Sequence, residues 1–145
     1  MSITAVAETK VHIGGVTAGQ TLADYTARTD WTEITNLADI GEFGDEAQII
    51  TFETIDKGRV EKAVGTRDAG DFTFTVGRID DDAGQMAARA ASKTRDHYDV
   101  RVTLTSGEVF YFTGPVTSAK NQFGGPNEVL QTAFTVAISS PIVDG

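Results

Sequence analysis

Cysteine is absent from the 145 residues, and that one absence removes disulfide frameworks, thiolate metal sites and cysteine nucleophiles together. Histidine occurs only at positions 12 and 97. Neither His12 nor His97 has a second imidazole beside it, or a carboxylate at the i+4 spacing of a helical metal site, so no metal and no cofactor are expected. Long apolar runs are missing too. Met1 to Gly15 contain one lysine and no stretch of signal-peptide character, and no later segment approaches the length of a membrane span. The expectation is a chain without a membrane anchor that stays in the cytosol where it is made. Basic residues are few, 12 Lys and Arg against 21 Asp and Glu, for a net charge of -9. Proteins that grip phosphate backbones need clustered Lys and Arg, so this balance argues against tight nucleic-acid binding, although acidity also serves plain solubility.

Catalytic patterns are equally scarce. No Ser sits in a Gly-x-Ser-x-Gly elbow, and neither Gly14-Gly15 nor Gly124-Gly125 leads into the Lys-Ser/Thr pair of a phosphate loop. Both glycine pairs read as turns. Asp80-Asp81-Asp82 lacks the Gly and the closing Glu of a calcium loop and suits a helix start better. No catalytic residue is expected, and the chain is not expected to be an enzyme.

What is present is mostly β-forming. Phe72-Thr73-Phe74-Thr75-Val76 alternates strictly, with Phe72, Phe74 and Val76 inward. Leu130, Thr132, Phe134, Val136 and Ile138 repeat that period in a long closing strand. Val100 to Leu104 and Val109 to Thr113 flank Ser106-Gly107 as a hairpin. Val116 to Ala119 can continue at a sheet edge beyond Gly114-Pro115, and Asn121 to Asn127 reads as a loop. Asp30 to Ile34 is a short strand, with Asn36 to Glu46 a loop after it. The β-branched run Gln48 to Ile55 reads as a strand partly covered on both faces. Asp82 as N-cap and Gln85 three residues on open the one helix, whose Ala83, Met86, Ala87, Ala90 and Ala91 form a small-residue face for packing on a sheet.

These segments predict a single domain, 1–145. The fold class is mainly β, an antiparallel β-sandwich or flattened barrel with one flanking α-helix. Residues 1–27 read as an arm with a short strand, ordered on assembly. Residues 56–71 read as a long loop carrying charges of both signs, Lys57, Arg59, Glu61, Lys62, Arg67 and Asp68 among them, and loops of that length in a compact domain tend to be functional. Thr73, Thr75, Gln131, Ala133 and Thr135 make an outward face that is small or polar and uncharged. It is either a solvated face or one where the sheet continues across subunits.

The run Ala63-Val64-Gly65-Thr66-Arg67-Asp68-Ala69-Gly70-Asp71-Phe72-Thr73-Phe74 resembles the Gly-x-x-Asp-x-Gly segment leading into an alternating strand in the tail tube proteins of long-tailed bacteriophages. The order of features around it is similar over nearly the whole chain. That resemblance implies a virion structural protein, assembled in the host cytoplasm into the phage tail as stacked hexameric rings, a conduit for DNA ejection. It implies tape-measure and tail terminator partners, and double-stranded DNA that passes without specific binding. By position, the 56–71 loop would stack one ring on the next, while Gln48 to Ile55, Phe72 to Val76 and Leu130 to Ile138 would contribute strands to an inner barrel. Six chains at -9 would carry -54 per ring, and only acids on the lumen wall act strongly on a polyanion, since charges beyond about 8 Å are screened. Glu53 is the first candidate for that wall and Asp56 the second. The competing expectations are a carbohydrate-binding or adhesion module, with Trp31 and Tyr111 as its aromatics, or a related secretion-tube or contractile-tail ring protein.

Overall fold

Phe72, Phe74 and Val76 are buried while Thr73 and Thr75 are not, which is the outcome a period of two requires of a strand with one face on a core. The computed structural model describes residues 7–17, 21–44, 46–53, 58 and 60–145. In chain order the elements are β1 (Lys10–Val16), α1 (Leu22–Ala27), β2 (Thr32–Ile34), β3 (Leu37–Ile40), β4 (Glu46–Glu53), β5 (Val60–Asp68), β6 (Asp71–Gly77), α2 (Ala83–Ala91), β7 (Tyr98–Thr103), β8 (Val109–Gly114), β9 (Val116–Gln122), β10 (Gln131–Ala137) and β11 (Val143–Asp144).

Two antiparallel sheets share one core. A five-stranded sheet has the order β11-β8-β7-β1-β2, and a four-stranded sheet the order β3-β6-β10-β9. Val11, Ile13, Ile34, Val100, Val102 and Phe112 of the first meet Phe72, Phe74, Val76, Phe134 and Val136 of the second. Phe43, from the connection after β3, wedges between them, with ring centroids 5.4 Å from Phe72 and Phe112 and 5.5 Å from Phe110. Such edge-on and tilted aromatic pairs each add about 0.5–1.5 kcal/mol beyond area burial. The chain changes sheets at Pro115, between β8 and β9. The sheets remain separate, so the architecture is a sandwich and not the closed, flattened barrel.

Several expectations need correction. Within 1–27 the short strand is β1, which pairs with β2 and β7 inside the subunit instead of waiting for assembly, and α1 follows as a second helix, while residues 1–6 and 18–20 lie outside the described residues. The 36–46 loop contains β3, paired with β6. The 56–71 loop is largely strand, because β5 pairs with β4 from Val60 to Asp68. The face of α2 is also rotated from the expected one. Gly84, Gln85, Ala88 and Ala91 are buried, while Met86 is half exposed. Gly84 lies so close to β2 that a Cβ there would collide with the Glu33 carbonyl oxygen, so backbone approach, not a stripe of alanine, sets the packing. The N-cap is as expected. Asp82 accepts from the Gln85 amide at 3.0 Å and from the Thr35 hydroxyl at 2.7 Å. Burial opposes the Asp82 charge, but these hydrogen bonds outweigh it and hold the carboxyl below its usual range.

Candidate assembly site

Which surfaces stay open is decided by what the helices cover. α1 lies on the outer face of the five-stranded sheet. Its Tyr25 is fully buried, stacks on Tyr111 with centroids 5.1 Å apart, and shares a 2.8 Å hydrogen bond with Thr113. The Thr113 hydroxyl donates to Asp99 at 2.8 Å. Arg28, just past the helix, donates from Nε to Asp99 at 2.8 Å, from Nη1 to Asp30 at 2.9 Å and from Nη2 to the Val16 carbonyl at 2.9 Å. Burial works against the Arg28 charge, yet the bonds and charges of Asp30 and Asp99 outweigh it and raise its pKa. A buried ion pair satisfied this fully fixes a segment in one position. Tyr111 is thereby covered, and Trp31 leans on it under the Arg101 guanidinium, 4.9 Å from its ring. The two aromatics that a glycan-binding module would present are engaged within the fold, which disfavours that reading.

The outer face of the four-stranded sheet, in contrast, has no helix over it. Thr73 pairs with Thr135 and Thr75 with Ala133, and Gln131 follows on the same face opposite Gly77. The two hydroxyls of Thr73 and Thr135 lie 3.3 Å apart. All five residues of the expected face are therefore together and at least partly exposed. On either side, β3 and β9 each have an edge without a strand partner.

β4 and β5 form a two-stranded sheet of their own. It springs from one end of the four-stranded sheet, where Ala69 and Gly70 lead into Asp71 opposite Ala137. Gln48 to Thr51 are exposed, so β4 is not the strand covered on both faces that its β-branched run suggests, and it joins neither core sheet. The register separates the hairpin's charges by face. Lys62 pairs with Thr51 and Arg67 with Ala47, on the side of Ile49 and Val64, whereas Glu61 and Asp68 lie on the other side with Ile50 and Glu46. Of the expected stacking residues, Glu61, Lys62, Arg67 and Asp68 are therefore strand residues, while Lys57 and Arg59 lie outside the described residues. Glu53 ends β4 on the hairpin, and Asp56 lies outside the described residues.

Among the described residues no group of three His, Asp or Glu side chains is placed to hold a metal. An open cleft of about 700 Å³ between Glu8, Lys10, Glu33, Asn36 and Thr103 has no histidine or serine in its lining. His12 sits on β1 between Arg101 and Glu33, 4.0 Å from the Glu33 carboxylate. Burial first, then the positive charges of Arg101 and Lys10, lower its pKa against the opposing pull of Glu33.

The profile of the phage tail tube protein family matches residues 2–143. The chain belongs to that family. It is accordingly a structural protein of the tail of a phage-like particle. No curated protein matches the sequence. Among solved structures, a chain of the anti-feeding prophage baseplate is similar in fold at a TM-score of 0.72 and 11% identity, covering 100% of this chain and 97% of that one. A chain from the sheath and tube terminator of the PVC extracellular contractile injection system gives 0.68 at 10% identity, with 100% and 98% covered. One from the sheath-tube complex of such a system gives 0.66 at 10%, with 99% and 91% covered. The tail tube fold thus extends over the whole chain, with α1 and the β4–β5 hairpin included in the aligned length.

Proposed function

We propose that six copies of this tail tube protein close into a ring, and that the rings stack into a hollow tube through which double-stranded DNA passes. The observation that carries this reading is the four-stranded sheet with two unpartnered edges and one face that no helix covers. Joining β9 of one copy to β3 of the next removes both edges at once, and exposed edges are otherwise an aggregation hazard. The first fold neighbour comes from an assembly described as 6-fold symmetrised. Four strands from each of six copies make a wall of twenty-four, which at about 4.8 Å per strand has a circumference of about 115 Å and a diameter of about 37 Å before side chains. Thr73, Thr75, Gln131, Ala133 and Thr135 then belong to the continuous sheet, where Lys120 beside Ala133 is set against Asp39 beside Thr75 and Asp71 opposite Ala137, a balance without the clustered cations that would hold a polyanion. Glu53, which ends β4, and Asp56 are the candidate acids of the wall. Lys57, Arg59, Glu61, Lys62, Arg67 and Asp68 serve ring stacking. Tape-measure and terminator proteins are the expected partners inside and at the end of the tube, and the role is structural, not catalytic. Electron microscopy of concentrated purified protein tests the reading: hollow tubes of uniform width support it, and dispersed monomers at every concentration refute it.

A further inference from the structure

The hairpin and the connection between β9 and β10 stand at opposite ends of the same sheet. The hairpin leaves beside Asp71 and Ala137, while residues 123–130 lie beyond the other end, where Gln131 pairs with both Gly77 and Gln122. Both ends expose large apolar side chains. On the hairpin, Ile49 is 65% and Val64 64% exposed, directly paired and on one face, with Val60 on that face nearer the tip. By register that face carries the cations Lys62 and Arg67 and, opposite Val60 at the end of β4, the single acid Glu53. On the connection, Phe123 is 79% and Val129 68% exposed. The charge there is of the opposite sign. The Glu128 carboxylate lies across Gly124, and Asp81 is exposed nearby in the turn that follows Arg78, whose amide bonds to the Leu130 carbonyl at 2.9 Å.

We propose that the Ile49-Val64 face of the hairpin docks on the Phe123-Val129 connection of a second copy of this chain, with Lys62 and Arg67 set against Glu128 and Asp81. This assignment rests on the tube reading and gives the stacking hairpin its receptor. A patch at one end that fits a different patch at the other is a heterologous contact, and repeated along an axis it builds an open-ended filament. The pairing also answers a stability problem. A two-stranded sheet with apolar residues exposed on it is marginal in water, and a covering partner supplies the burial it lacks. The opposite hairpin face, with Glu46, Glu61 and Asp68 beside Ile50, would meet Glu128 with like charge and is excluded from the same receptor.

The absence of cysteine makes the contact testable by cross-linking. V64C with F123C in one chain, assembled and then oxidised, is expected to give a ladder of covalently linked chains, with no ladder from either single variant or from A63C with F123C. Tubes that form without that ladder, or an equal ladder from the A63C pair, overturn the docking and leave the tube reading standing. Wild-type protein that forms no tubes overturns both. Charge reversal adds a second arm that leaves the apolar contact in place: K62E and E128K are each expected to lower tube yield and together to restore it, whereas unchanged yield in both single variants overturns the proposal.

Discussion

Asp99 is 2% exposed, and a buried carboxylate must be held by something. Arg28, Thr113 and, through Thr113, Tyr25 do so, tying α1 to the sheet. Arg28→Ala leaves the carboxylate without its cation and is expected to cost about 3–5 kcal/mol. Asp30→Ala, at a carboxylate that is 56% exposed, should cost less than about 1 kcal/mol. Urea unfolding of the two variants compares them directly. His12 adds a pH dependence. Because its folded pKa lies below the ordinary 6.5, the unfolded chain takes up its proton first, and the stability that neutral His12 contributes is present above 6.5 and lost as pH falls through the folded value. Unfolding midpoints measured between pH 7 and pH 5 should fall, and less steeply in His12→Gln. None of these partnerships is legible in the sequence. Arg28 and Asp99 are 71 positions apart, and no local pattern announces a long-range ion pair. The Asp82 cap was readable because its acceptor and donor lie within one turn of chain.

Among the elements, β6, β10 and the β7–β8 hairpin were legible for a shared reason. Each has one face on the core and one off it, so burial is written into the sequence with a period of two. β4 and β5 break that rule. With neither face on the core, β5 alternates nothing and its charges suggest a solvated loop, while the apolar run of β4 imitates a buried strand. β3 is too short to declare itself ahead of Gly41, although Phe43 after it packs, partly buried, against the core. The hairpin's separateness has a consequence for stability. Replacing residues 46–68 by a short Gly-Ser turn removes no member of either core sheet, so the melting temperature should change by only a few degrees, as read by circular dichroism. Tube formation should be lost. A collapse of the melting transition would show instead that the hairpin supports the core.

At the scale of the whole molecule, the subunit is a well-packed sandwich with an incomplete outside. One sheet is clasped by α1 through a buried ion pair, and the other is left uncovered with two open edges. The five residues of that uncovered face were legible because their partners across the strand alternate with the core. The edges were not, since strand order is a property of pairing and not of any one segment. Family membership and the geometry agree on a tail tube subunit, and the closed ring is the proposition on which stacking, lumen and docking all depend. Native mass spectrometry of the assembling protein tests it most directly. The account predicts a ring of about 92 kDa, six times the 15.4 kDa chain, and stacks in multiples of it. A 15.4 kDa monomer persisting at every concentration would contradict it.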